Sequence, residues 1–348
     1  MSGPSDPREP RLRQSPEFDL IGAIRERLAS TLASSARRSS IRIGIGDDAA
    51  VVVPGAVTAT SVDAIVDGVH FRSSWCPPRS VGRKALGAAL SDLAAIGAAP
   101  GEAYVWLGAP PELSEASCLE LCDGIAELAE ETGVAVLGGD LTAAGALSVC
   151  VTAVGHAGSE SELVGRDGAE AGFALCVTGE LGGAAAGLML LEHPELRKEV
   201  GEPVAREAIR RQLEPEPRLA SGRALAAAGA SAMIDVSDGL GADAGQLAAA
   251  SGLGVEIDLE KVPLAAGVRE VAAASGRDHH ELAAGGGEDY ELLCAVPRST
   301  LVECEGAVAR SGSALTEIGR FVAGGSVRLR LSGGRSLPPA GHDHLRAR

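Results

Sequence analysis

Apolar residues recur along the chain in two rhythms. Spacings of three and four predict helices over 18–30 (FDLIGAIRERLAS), 79–97 (RSVGRKALGAALSDLAAIG) and 113–132. Short alternating or continuous apolar runs predict strands at 57–63 (VTATSVD), 103–108 (AYVWLG), 134–138 (VAVLG) and 146–155 (ALSVCVTAVG). A polar, Gly-containing stretch over 156–171 predicts a linker, after which the pattern resumes with a strand at 173–179 (FALCVTG). Helices are expected near 181–192, 203–213, 217–229, 239–252 and 299–311, and strands near 231–236, 254–258, 290–296, 315–321 and 326–331. Helices and strands mixed in this way predict an α/β or α+β fold, not an all-α bundle or a β-sandwich. The boundaries expected are a disordered tail at 1–16, a first domain at 17–157, a second at 158–332 and a C-terminal tail at 333–348.

Length and composition narrow the function classes. The 348 residues exceed what one core usually fills, which predicts two domains. Hydrophobic residues make up 45%, yet only eight are aromatic, so the cores must be built from Ala, Val, Leu and Ile. A net charge of −16 with so few aromatics offers neither a basic stripe nor a stacking platform, which argues against nucleic-acid binding. No window reaches the ~18–20 apolar residues of a membrane helix, and the N-terminus lacks a secretory pattern, so a cytoplasmic protein is expected. The chain has no asparagine and no Gly-Lys pair, which excludes a protein-kinase catalytic loop and a Walker A loop. Any phosphate chemistry must use another device.

The seven cysteines stand singly without a CxxC pair and read as buried small hydrophobes. His279-His280 beside Asp278 reads as solvated surface, and His156 and His193 fall in expected loops.

What stands out is a set of acids in short Gly- or Ser-containing corners beside apolar runs. They are Gly44-Ile45-Gly46-Asp47-Asp48, Ser61-Val62-Asp63, Ser91-Asp92, Gly138-Gly139-Asp140, Asp235-Val236-Ser237-Asp238-Gly239 and Gly287-Glu288-Asp289-Tyr290-Glu291. An Asp in such a turn commonly caps a helix or makes an Asx-turn, and Asp238 could cap the helix that follows it. Asp92 resists that reading, because it lies inside a helix among Leu90, Leu93 and Ala94, where an unpaired carboxylate is costly to bury. Converging carboxylates need a counter-charge, and hard oxygen ligands select Mg²⁺ or a similar ion. The residues alone thus leave two readings open, turn and cap duty or a Mg²⁺-dependent nucleotide or phosphate enzyme.

Eight segments narrow this further: GIGDDAAVV (44–52), VDGVHF (66–71), ALSDLAAIGAAP (89–100), LGGD (137–140), TGELGGAAAGL (178–188), PEPR (215–218), IDVSDGL (234–240) and GGEDYELL (286–293). In this order they resemble the thiamine-monophosphate kinases, a branch of the superfamily that includes aminoimidazole ribonucleotide synthetase. The resemblance covers about 18–330. It implies a two-domain fold of that superfamily, with an N-terminal domain that binds ATP and Mg²⁺ and pairs in a homodimer, and a nucleotide held between domains. It implies transfer of the ATP γ-phosphate to thiamine monophosphate, giving thiamine diphosphate and ADP.

Carried over by position, the resemblance implies Mg²⁺ ligands at Asp48, Ser61, Asp63, Asp92, Asp140, Asp235 and Asp238, with Asp47 a further candidate. It implies ATP contacts at Gly139, Asp140, Arg166 and Ser237, and substrate contacts at His70 and Glu288, with Asp289 and Tyr290 nearby. The sequence departs from the family pattern at Leu141, Val62, Ala89 and Asp67, and at His342, where an aromatic residue is usual.

The chemistry needs no catalytic base. A phosphate monoester has a second pKa of about 6, so its attacking oxygen is mostly ionised at neutral pH. The task is to hold two highly negative groups in line, although like charges ~4 Å apart repel by ~4 kcal/mol at an effective dielectric of ~20. Within the superfamily, selenophosphate synthetase would need a reactive Cys near the N-terminal Gly-rich loop, and none precedes Cys76. A hydrogenase-maturation relative would end in a Cys-bearing tail, whereas the last Cys here is Cys304. Aminoimidazole ribonucleotide synthetase lacks the IDVSDGL and GGEDYELL pairing. A catalytically silent thiamine-phosphate binder would not need Asp92 and Asp238.

Overall fold

A computed structural model describes residues 17–45 and 47–341. The expected N-terminal tail and His342 lie outside these residues. The described chain divides into two compact units, one formed by residues 17–93 and 99–160 and the other by 94–98 and 161–341.

The first unit contains α1 (Glu17–Ser34), β1 (Ile41–Ile43), β2 (Val51–Val52), β3 (Val57–Val66), α2 (Pro78–Ile96, whose last turn belongs to the other unit), β4 (Ala99–Ala109), α3 (Glu115–Thr132), β5 (Ala135–Ala143) and β6 (Ser148–Ala157). Its main sheet has the order β3-β6-β4-β5, with β4 and β5 parallel and the other pairs antiparallel. β6 alternates Val149, Val151 and Ala153, fully buried, with Cys150, Thr152 and Val154, partly exposed, as a sheet with one covered face requires. α3 starts at an N-cap, where Ser114 Oγ accepts from the Ser117 amide at 3.0 Å, and stops at Gly133 with φ 74°. Its buried Cys118, Leu121, Cys122, Ile125, Leu128 and Ala129 follow the helical spacing. Gly124 lets α3 approach α2 closely, because a Cβ there would lie 1.9 Å from the Arg79 carbonyl oxygen.

The second unit contains β7 (Ala174–Thr178), α4 (Gly183–Glu192), α5 (Arg197–Val200), α6 (Glu202–Leu213), α7 (Leu219–Ala228), β8 (Ala232–Asp235), α8 (Leu240–Ala250) and β9 (Gly254–Asp258). There follow α9 (Val268–Ser275), α10 (His279–Gly285), β10 (Leu292–Val296), α11 (Leu301–Arg310), β11 (Leu315–Val322), β12 (Val327–Arg330) and β13 (Ser336–Leu337). The sheet order is β13-β12-β9-β11-β7-β10-β8, and only β12 and β9 are parallel neighbours. β7 and β10 are buried along their whole length, so periodicity alone could not separate them from short buried helices. The core is aliphatic, as composition requires: Leu175, Val177, Ile234, Leu247, Val255, Ile257 and Leu293 pack with Phe321, and Phe173 lies against them.

Two expectations are corrected here. His156 is not in a loop: it lies in β6, buried, with Nε2 2.9 Å from Glu102 Oε2 and Nδ1 accepting from the Gly55 amide at 3.2 Å. His280 is not solvated surface, being only 8% exposed. Asp278 caps α10 by accepting from the His280 amide at 2.8 Å, and its carboxylate also meets the His280 ring at 3.2 Å. Arg269 contacts His279 Nε2 at 2.8 Å, and Arg335 approaches the Asp278 carboxylate at 3.5 Å. Short elements without a long apolar period, such as α9 and α10, were not foreseen. All seven cysteines are free thiols, six of them buried and Cys150 partly so. Among the described residues no helix is long and apolar enough to cross a membrane.

Candidate functional site

In the first unit, β3 carries Ser61 and Asp63 on either side of Val62, which is 64% exposed. Strand alternation sends Ser61 and Asp63 to the same face. There the Ser61 hydroxyl donates to Asp92 Oδ2 at 2.5 Å. Asp92 thus has a partner on β3, and it is partly exposed instead of buried as its apolar neighbours suggested. Asp47 and Asp48 follow β1 on exposed backbone, with the Asp48 amide donating to Asp47 Oδ1 at 2.8 Å.

His70 sits in the turn after β3, and its Nδ1 accepts from the Val66 amide at 3.1 Å. Asp67, which stands where the family pattern has Glu, accepts from the Ser73 hydroxyl at 2.6 Å and amide at 3.1 Å. Gly139 and Asp140 lie on β5, where both are exposed. The register pairs Asp140 with Trp106, Trp106 with Cys150, and Cys150 with Ala64. Asp140 is therefore level with Ala64, on the opposite face of the sheet from Asp63. The structure joins Ser61 and Asp92, and it does not bring Asp140 to them.

In the second unit, β8 ends at Asp235, which is buried, and the chain turns through Ser237 and Asp238 into α8. Asp238 does not cap that helix. Asp243, one turn inside α8, reaches back to accept from the amides of Asp238 at 3.1 Å and Gly239 at 2.9 Å. Burial, with the charges of Asp235 and Asp238 added, pushes the Asp243 carboxyl up to about 7, against the pull of those two amides. Three carboxylates thus crowd one corner. Sequence reasoning missed Asp243, although an acid on the buried face of α8 beside Leu240, Ala244 and Leu247 was a readable signal.

The 286–293 segment runs back against this corner. The Leu292–Asp235 pair of the β10–β8 ladder is extended by Val236 N to Glu291 O at 2.7 Å, Tyr290 N to Val236 O at 2.9 Å and Glu288 N to Ser237 O at 2.8 Å. Glu288 and Tyr290 have positive φ of 66° and 51°, strain of roughly 1–3 kcal/mol each for residues that are not glycine. Gln212 Nε2 donates to Glu288 Oε2 at 2.5 Å, and Tyr290 is buried. Asp289 faces the start of α4, where it accepts from the Gly182 amide at 2.6 Å and the Ala184 amide at 3.0 Å. Burial pushes its carboxyl up to about 7 even so. Arg166 is exposed and donates to Gln246 Oε1 at 3.2 Å. Glu291, Arg218 and Thr178 were not singled out as site residues; the structure links all three, at 2.6 and 2.9 Å for the arginine and 2.7 Å for the threonine.

With that geometry in place, three comparisons bear on the family. AIR synthase related protein, N-terminal domain, matches residues 46–157, and AIR synthase related protein, C-terminal domain, matches 170–332. The chain is 40% identical over 293 residues to a thiamine-monophosphate kinase of Mycobacterium tuberculosis, covering 82% of this chain and 81% of that protein. The chain belongs to the thiamine-monophosphate kinase family. A thiamine-monophosphate kinase structure from Stenotrophomonas maltophilia superposes with a TM-score of 0.79 at 34% identity, covering 91% of this chain and 97% of that one. A relative's structure, AaThiL complexed with AMPPCP and TMP, superposes with a TM-score of 0.72 at 31% identity, covering 96% and 98%. The two-unit mixed fold is thus that of the thiamine-monophosphate kinases.

Proposed function

We infer that this protein transfers the γ-phosphoryl group of ATP to thiamine monophosphate, releasing thiamine diphosphate and ADP. The observation that carries the reading is the likeness, over 96% of the chain, to a relative complexed with AMPPCP and TMP. The acid corners support it from this chain's own residues.

The donor set fits Mg²⁺. Ser61 and Asp92 in one unit, and the crowded Asp235, Asp238 and Asp243 in the other, offer hard carboxylate and hydroxyl oxygens and no soft ligand. We assign Asp47, Asp48, Ser61, Asp63, Asp92, Asp140, Asp235 and Asp238 to Mg²⁺, with Asp243 restraining the backbone beneath Asp238. Bound Mg²⁺ would supply charge neutralisation on the phosphates. Gly139, Asp140, Arg166 and Ser237 are assigned to ATP, and His70 and Glu288 to thiamine monophosphate. Asp289 and Tyr290 shape the corner that presents Glu288. The attacking monoester oxygen is already mostly ionised at neutral pH, so these residues bind and align the reactants without removing a proton.

The open face of the first unit's sheet, with Val62 and Trp106 exposed, supports a homodimer formed there. A cytoplasmic location fits an ATP-dependent enzyme whose seven thiols are all free.

The test is ADP release from Mg·ATP with thiamine monophosphate, free thiamine or no acceptor, and identification of the product by mass. Thiamine diphosphate formed only from the monophosphate is expected. ADP release without it would overturn the reading.

A further inference from the structure

The backbone that carries Glu288 is held in a conformation it would not keep alone, because Glu288 and Tyr290 both lie in the left-handed region. Side chains of this corner are tied to four other elements of the same unit. Gln212 at the end of α6 holds Glu288, the first amides of α4 hold Asp289, and Arg218 and Thr178 hold Glu291.

The last tie is the most heavily built. Glu291 is 1% exposed and carries a carboxylate gripped on both oxygens: Arg218 Nη2 donates to Oε1 at 2.6 Å and Arg218 Nε to Oε2 at 2.9 Å. The Thr178 hydroxyl donates to Oε2 at 2.7 Å while accepting from the Leu292 amide at 2.8 Å. Bidentate geometry fixes the plane of the carboxylate as well as its position. Gly179 completes the seat. Its φ is 53°, and a Cβ there would lie 2.1 Å from Glu291 Oε1, so only glycine leaves room for the clamp. Strand β7, the start of α7 and the 288–291 segment thus meet at one ion pair, with its carboxylate buried and its guanidinium half-buried.

We propose that the Arg218–Glu291 clamp, with Thr178 as its second donor, is a positioning device for thiamine monophosphate. It locks the 288–290 corner in its left-handed form and so aims Glu288 at the substrate. The inference rests on the assignment of Glu288 to thiamine monophosphate made above. Arg218 and Glu291 do not touch the substrate; they act through Glu288. Removing Arg218 leaves the buried Glu291 carboxylate without its counter-charge, so the corner relaxes instead of closing over the gap.

The experiment measures thiamine monophosphate binding by calorimetry, and KM for each substrate, in full-length wild type, Arg218→Ala, Arg218→Lys, Thr178→Val, Glu288→Ala and the Arg218→Ala/Glu288→Ala double variant. Arg218→Ala is expected to weaken thiamine monophosphate binding and raise its KM roughly 10- to 100-fold, while KM for ATP stays within about threefold. Arg218→Lys should recover part of the loss, since it keeps the charge and gives up the fork. In the Glu288→Ala background the Arg218→Ala change should have little further effect, because the clamp then has nothing to aim.

Unchanged affinity in Arg218→Ala, an equal rise in KM for both substrates, or fully additive losses in the double variant would each overturn the proposal. If Arg218→Ala does not fold, Thr178→Val keeps the ion pair and removes one donor, and normal thiamine monophosphate affinity in that variant would also overturn it. A wild type that neither binds nor phosphorylates thiamine monophosphate sinks both this inference and the functional reading. An active wild type with an indifferent Arg218→Ala sinks this inference alone.

Discussion

The Ser61 hydroxyl donates to the Asp92 carboxylate at 2.5 Å, tying the middle of β3 to α2 across 31 residues of sequence. A charge beside the buried Ala88, Ala89 and Leu93 is tolerated because Asp92 keeps partial exposure and this bond meets it. Asp92→Asn should therefore lower kcat/KM at least ~100-fold, and raise the Mg²⁺ needed for half-maximal rate, if the pair faces the metal. Ser61→Ala should cost roughly 10-fold, because the carboxylate remains. Mg²⁺ titrations of initial rate for the two variants check this, and an Asp92→Asn enzyme with a wild-type Mg²⁺ requirement would remove Asp92 from the site.

Asp238 makes no cap bond to α8, its backbone amide being held by Asp243, and Asp140 projects from the sheet face opposite Asp63. Asp238→Asn and Asp140→Asn are each expected to reduce turnover by more than ~100-fold while leaving the melting temperature within a few degrees. Steady-state rates paired with thermal melts separate loss of function from loss of fold. A near-native rate in either variant counts against that residue.

Asp289 ionises less readily in the folded protein than in an unfolded chain, its carboxyl being pushed up to about 7 by burial. A raised acid holds its proton preferentially in the fold. The stability it contributes is complete below about pH 4 and is lost as pH rises toward 7. Asp289→Asn removes the ionisation but keeps an oxygen for only one of the Gly182 and Ala184 amides, which donate to different carboxylate oxygens. That loss does not vary with pH, so only the pH dependence of the difference is read. The wild-type melting temperature relative to that of Asp289→Asn should thus fall as pH rises from 5 to 8. Melts of both proteins at four pH values decide it; a difference independent of pH would show that the carboxylate is stabilised as an anion by the start of α4.

Gly124 faces the Arg79 carbonyl so closely that a methyl group has no room. Gly124→Ala should destabilise the first unit by about 1–3 kcal/mol, despite the better helix propensity of alanine. Urea unfolding measures the loss, and an unchanged midpoint would mean that α2 and α3 can separate at little cost.

Cys118 and Cys122, four apart on α3, were read as core residues, and both are buried in it. Long periodic helices such as α3, and strands such as β6 with one covered face, were legible because a helix or sheet that buries one side must repeat its apolar residues at 3.6 or 2. The acid corners were legible for a different reason. An acid beside glycine at the end of an apolar run is out of place unless something compensates its charge, and the resemblance to a known family supplied what that is.

Contacts between distant segments were not legible. No local pattern says that Glu291 meets Arg218 73 residues away, that Asp243 holds the two amides ahead of its own helix, or that one imidazole of the Asp278-His279-His280 segment is buried. The sequence by itself determined the mixed fold, the aliphatic cores, the buried thiols and the family, because these follow from composition, period and motifs read in order. Tertiary structure alone decided which acids share a sheet face, which are held by amides and which are clamped by arginine. Those outcomes depend on strand register and on chain segments brought together by folding, and a single residue of register reverses the face on which a side chain stands.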